Sequence, residues 1–136
     1  WDTHSNNFDT LQPMLAELDA GWATLMEDLQ SRGLLESTTI LWMGEFGRTP
    51  QINGSAGRDH FPAAWSCVFG GGIAGGQVYG RTSDDGTRVE ENQVGALDVL
   101  TTLVEAVGID PYTENKSNTG RPTKLAEGAS IQEILA

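Results

Sequence analysis

The run TTILWMGEFG, Thr38 to Gly47, decides what kind of fold this sequence can make. From Thr38 to Glu45 it is β-branched and apolar on both faces, where a half-solvated strand would alternate. That pattern predicts a strand buried on both sides, the habit of parallel sheets. The run then breaks into Gly44-Glu45-Phe46-Gly47, a carboxylate caught in a glycine-flanked turn at the strand's C-terminal end. Open α/β sheets build their sites at such ends. Burying that carboxylate is costly unless a cation or a donor meets it.

Upstream, Phe8, Leu11, Leu15, Leu18, Trp22, Leu25, Met26 and Leu29 recur at steps of three and four. This spacing predicts an amphipathic helix, with Asp9 as N-cap, Pro13 near the first turn and Gly33 at the left-handed C-terminal position. Downstream, residues 48–62 read as loop, because Gly, Pro, Asn and Ser recur without an apolar period. Trp65 to Phe69 reads as a second buried strand running into the glycine-rich GGGIAGG, Gly70 to Gly76. QVYGRT is a short strand, and SDDG is a turn before TRVEENQV. Leu97, Leu100, Leu103, Val104 and Val107 predict a second helix over residues 94–107, closed by Gly108. Residues 110–128 read as polar loop, and SIQEIL as a last helical turn. Helices alternating with short apolar strands indicate an α/β fold.

The composition narrows the function classes. The chain has 136 residues, 38% of them hydrophobic and 20% charged, which suits one globular domain. Nineteen acidic against eight basic residues give a formal charge of -11, which argues against nucleic acid, since phosphate backbones are held by Lys and Arg. A single cysteine, Cys67, excludes an internal disulfide, and its apolar strand makes it a small packing residue rather than a nucleophile. No run is long and apolar enough to cross a bilayer. The GGGIAGG stretch lacks the Lys-Ser/Thr of a phosphate-binding loop, so tight chain reversal explains its glycines better.

Ionisable residues gather beside glycine at four places: Asp2 with His4, Glu45 with Arg48, Arg58 with Asp59 and His60, and Asp84 with Asp85. The last is ordinary turn chemistry. His4 and His60 are the only histidines, each close to an Asp, and imidazole with carboxylate is the usual ligand set of zinc and related ions. Read alone, Asp2 and His4 also fit a helix-capping Asp with a surface His. Glu45 fits either a metal ligand or a salt bridge to Arg48. Arg48 and Arg58 suit forked recognition of an anion, or neutralisation of Glu45 and Asp59.

Taken together, WDTHSNNF, GEFGRTPQIN, GRDHFP and GGGIAGGQVYGRTSDDG, in that order, resemble the C-terminal part of the bacterial family called domain of unknown function 1501, a sulfatase-like branch of the alkaline phosphatase superfamily. The resemblance implies a three-layer α/β/α sandwich of the alkaline phosphatase/sulfatase type, of which residues 1–136 are the C-terminal portion. It implies a divalent metal ion, zinc, calcium or similar, held by Asp2, His4, Glu45 and His60. Arg48 and Arg58 would hold a small anionic ester substrate. The nucleophile and its neighbouring Asp would lie in an N-terminal part of the same protein, so that this portion alone is inactive, and the setting would be periplasmic or secreted. One departure stands out. Phe46 follows Glu45 where the superfamily places a nitrogen ligand, which leaves a second reading open: a sulfatase-like binding or surface protein without turnover.

Overall fold

The computed structural model describes residues 1–135. The first helix, α1, spans Asn7–Ser31. Asn6 caps it in a left-handed conformation (φ 47°), so Asp9 is not the cap; it lies in the first turn, where its charge meets the positive end of the helix. Pro13 falls inside the helix and removes the N–H that would bond the Asp9 carbonyl. The C-terminal expectation holds: Gly33 takes φ 67°, and its N–H and that of Leu34 close back onto the Gln30 and Leu29 carbonyls at 3.0 and 2.9 Å.

The decisive run forms β1, Ile40–Met43, preceded by one 3₁₀ turn at Leu35–Ser37. Next in the chain are β2, Gly47–Arg48, β3, His60–Phe61, and β4, Cys67–Gly70. The pairing of β1 is antiparallel, with β4, in the register Ile40↔Gly70 to Met43↔Cys67. The expected parallel sheet is therefore corrected. A parallel partner needs a crossover connection, usually a helix. Here the residues between β1 and β4 form the antiparallel β2–β3 pair instead, which also replaces part of the expected loop. Burial is corrected as well: Ile40, Leu41 and Met43 are half-buried, and Trp42 is exposed despite its contact with Trp22 of α1, ring centroids 5.5 Å apart.

Beyond β4, Gly71 turns the chain at φ 61°, and a side chain there would overlap the Thr38 carbonyl, so the glycine run serves a close backbone crossing. Strands β5, Arg81–Thr82, and β6, Val89–Glu91, pair across the expected Ser83–Gly86 turn. Asp85 organises that turn: hydrogen bonds from the Ser83 hydroxyl, the Thr87 hydroxyl and the Thr87 N–H pull its carboxyl down to about 2. Helix α2 covers Ala96–Ala106. The predicted polar loop contains a hairpin, β7, Glu114–Lys116, with β8, Pro122–Lys124, turned by Ser117–Gly120. A 3₁₀ turn at Gln132–Ile134 follows. Helices and small antiparallel sheets thus mix along the chain. Among the described residues no helix is long and apolar enough to cross a membrane. Cys67 is half-buried, and burial pushes its thiol up, against nucleophilic use.

The core sits between α2 and the C-terminal segment. Val99, Thr101 and Thr102 are fully buried, with Ala126, Ile131 and Ile134 close behind. Each threonine hydroxyl donates to a carbonyl one turn back and accepts a backbone N–H, Gly128 onto Thr101 and Ile131 onto Thr102, both at 2.9 Å. Thr102→Val keeps the shape but orphans the Ile131 N–H. We expect a loss of about 1–3 kcal/mol in denaturant unfolding, which a wild-type midpoint would contradict.

Elsewhere apolar surface is left open. Phe8, Leu15 and Leu25 on α1 are exposed, as are Trp42 and its cross-strand partner Val68. The chain exposes 9197 Å² at 14.6 kDa. A folded monomer of that mass exposes roughly 6,900 Å². The surplus is of the size that a stable interface covers. The chain by itself should therefore self-associate, and light scattering should return a mass well above 14.6 kDa, reduced by Trp42→Glu with Val68→Lys. A monomer with a sharp two-state transition would refute this.

Candidate metal centre

Three stretches of chain meet at one edge of the β2–β3 pair. Gly44–Arg48 leads from β1 into β2, residues 57–61 lead into β3, and the N-terminal residues 1–5 lie across both. Register places Arg48 opposite His60. The N-terminal stretch is docked by backbone bonds: Arg58 N–H to the Thr3 carbonyl at 3.0 Å, Asn6 N–H to Ser55 at 3.0 Å, and Asn7 N–H to Ala56 at 2.8 Å. Buried Thr3 donates its hydroxyl to the Asn7 side-chain oxygen. Gly57 is required here, because a side chain would overlap the His4 carbonyl group.

This docking brings Asp2, His4 and His60 together. Asp2 Oδ1 lies 3.0 Å from His4 Nε2 and 3.2 Å from His60 Nε2, and the two imidazole nitrogens are 3.2 Å apart. The three atoms form a nearly equilateral triangle. Tetrahedral ligands at zinc-like bond lengths of about 2.0–2.1 Å stand roughly 3.3 Å from one another, so the spacing fits one ion. All three side chains are exposed. Two imidazoles and one carboxylate suit zinc and its first-row neighbours; calcium prefers six to eight oxygens.

His4 Nδ1 is 2.9 Å from Asp59 Oδ1, so a neutral ring carries its proton there. Its Nε2 lone pair then faces the Asp2 carboxylate. The same lone pair lies 3.2 Å from His60 Nε2, so either a His60 N–H or a cation held among the three atoms satisfies it.

Arg48 flanks the triangle. Its Nη1 donates to Asp2 Oδ1 at 2.6 Å and its Nη2 to Glu45 Oε1 at 3.1 Å, and its guanidinium carbon stands 5.3 Å from the centre of the Phe46 ring. The Arg48 hydrogen bond is the largest cause of the lowered Asp2 pKa, followed by His60. Asp59 is held low chiefly by His4, then by Asn53. Glu45 thus meets Arg48, the salt bridge that its sequence context also allowed, and is not one of the three converging ligands. Arg58 turns away from Asp59: its Nη1 donates to the carbonyls of Thr49 and Pro50 and braces the loop. Asp59, read from sequence as a carboxylate beside Arg58 and His60, meets His4 instead.

The family described as "Protein of unknown function (DUF1501)" matches residues 1–135. The chain belongs to this family. Neither the curated proteins nor the solved structures gave a match to it. In this DUF1501 chain, Phe46 packs on His60 with ring centroids 4.4 Å apart, so the residue at the position of an expected nitrogen ligand forms an apolar wall beside His60. Asp59 and Asn53 are the residues to which motif reading gave no role at this site, whereas Phe46 was singled out only for the ligand it replaces. The Asp59-His60 pair was the available signal, but adjacency cannot tell which histidine the carboxylate serves.

Proposed function

We propose that this DUF1501 chain supplies the metal-holding, anion-facing part of a metal-dependent hydrolase of sulfuric or phosphoric esters, on a three-layer α/β/α sandwich of the alkaline phosphatase type. The observation that carries the reading is the triangle of Asp2 Oδ1, His4 Nε2 and His60 Nε2, with edges of 3.0–3.2 Å. Asp2, His4 and His60 would hold the ion, with zinc the favoured identity. A bound divalent ion supplies Lewis acidity toward an ester oxygen and counters charge on the transferred group.

The remaining roles belong to the chain. Arg48, bonded to both Asp2 and Glu45, sets a fixed cation beside the ligands, and a guanidinium fork matches the paired oxygens of a sulfuryl or phosphoryl group. Glu45 orients that fork. Phe46 shields one face of His60 from water. Among the described residues no hydroxyl or thiol hydrogen-bonds to Asp2, His4 or His60.

Phe46 also motivates a second reading, a binding protein that keeps one ion site but lacks the ligand needed for another. Assays of the longest natural polypeptide carrying this chain separate the two. Zinc-dependent hydrolysis of aryl sulfate or aryl phosphate, lowered at least about 100-fold by His60→Ala, supports the hydrolase. Stoichiometric metal with no turnover across a divalent-metal panel favours the binding protein.

A further inference from the structure

Resting on the metal-centre reading, we propose that Asp59 is a positioning residue, steered by Asn53, that holds His4 in the tautomer and ring orientation offering Nε2 to the ion. Asp59 Oδ1 accepts from His4 Nδ1 at 2.9 Å and from Asn53 Nδ2 at 3.0 Å. The same Asn53 amide group donates to the His4 carbonyl at 3.0 Å, so one side chain spans the backbone of the ligand and the carboxylate that orients its ring.

Asn53 is itself fixed from the other end. Its Oδ1 accepts the N–H groups of Ser55 and Gly57, both at 2.9 Å, and this network assigns which end of the amide is nitrogen. The backbone of Asp59 is clamped to Thr49 in both directions, its N–H to the Thr49 hydroxyl and its carbonyl from the Thr49 N–H, each at 3.0 Å. A carboxylate so held gives the Nδ1–H of His4 its acceptor, and, with Asp2 3.0 Å from the other nitrogen, turns Nε2 toward the converging ligands. Metal-bound histidines recur with such carboxylate partners, which set the tautomer and raise the basicity of the ligand. His60 is treated differently, its ring resting on Phe46.

The test uses Asp59→Ala and the shape-conserving Asp59→Asn, with zinc affinity measured by competition against a chromophoric chelator. The His4 tautomer is read in the metal-free protein from imidazole ¹⁵N shifts. Both variants should keep wild-type helix content and still bind one equivalent, at an affinity about 10–100-fold lower. His4 should shift from the Nδ1–H form toward a mixture. Wild-type affinity in both variants, or an unchanged tautomer, would overturn the positioning role and leave the metal centre standing. Failure of the wild type itself to bind zinc would overturn the metal reading, and this role with it.

Discussion

Replacing both histidines, His4→Ala with His60→Ala, is expected to lower bound zinc from about one equivalent per chain to below about a tenth, because a lone carboxylate offers one of the donors that a tetrahedral ion needs. The fold should survive. Both side chains are exposed, so their removal takes little from packing, and the helix signal in circular dichroism should match the wild type. Each single variant should fall between, since two of three donors remain. The dependence on acidity has a fixed sign: imidazole binds a metal only when unprotonated, so lowering the pH releases the ion. Unchanged zinc content in the double variant would mean that the ion sits elsewhere or binds without specificity.

A second large effect is expected at a residue with no side chain. Gly57→Ala places a methyl group onto the His4 carbonyl, and the obstacle is backbone, which cannot rotate away as a side chain would. Residues 1–5 must then lift off the loop, breaking the Arg58 to Thr3 bond and carrying Asp2 and His4 away from His60. We expect about 2–3 kcal/mol of lost stability and zinc binding as poor as in the double-histidine variant. Gly54→Ala provides the control. A side chain there meets open space, so stability should change by less than about 0.5 kcal/mol and zinc should stay bound. Equal behaviour of the two variants would contradict the docking of the N-terminal stretch.

The sequence made some of this legible and hid the rest for physical reasons. Apolar spacing announced α1 and α2, because both helices carry their apolar residues at the helical period, although Leu97, Leu100 and Val107 of the α2 stripe are exposed and Val99, Thr101 and Thr102 are the buried ones; Gly33 and Gly108 lie at their ends with positive φ. The apolar run of β1 announced a strand but not its partner, since residues 40–43 look alike whether β4 runs with them or against them. The β7–β8 hairpin was invisible because every residue in it is exposed, so no apolar alternation betrays it.

At the site, Asp2, His4 and His60 stood out as ligand types beside glycine, and the structure does bring them together. Glu45 was read into the same set because it ends the strand. It is not among the converging side chains; Arg48, three residues on, reaches back to it and across to Asp2. Asp59 was hidden by its neighbour. Charge order along the chain pairs it with Arg58, whereas in space the guanidinium goes to loop carbonyls and the carboxylate to a histidine 55 positions away. Local sequence records which charges are adjacent, and the fold decides which of them meet.

X-ray absorption at the zinc edge of the loaded wild-type protein tests the metal centre most directly. It should show a first shell of nitrogen and oxygen at about 2.0–2.1 Å with the outer-shell scattering of two imidazole rings, lost in the double-histidine variant. A shell without imidazole scattering, or one that is the same in both proteins, would contradict a centre built from Asp2, His4 and His60.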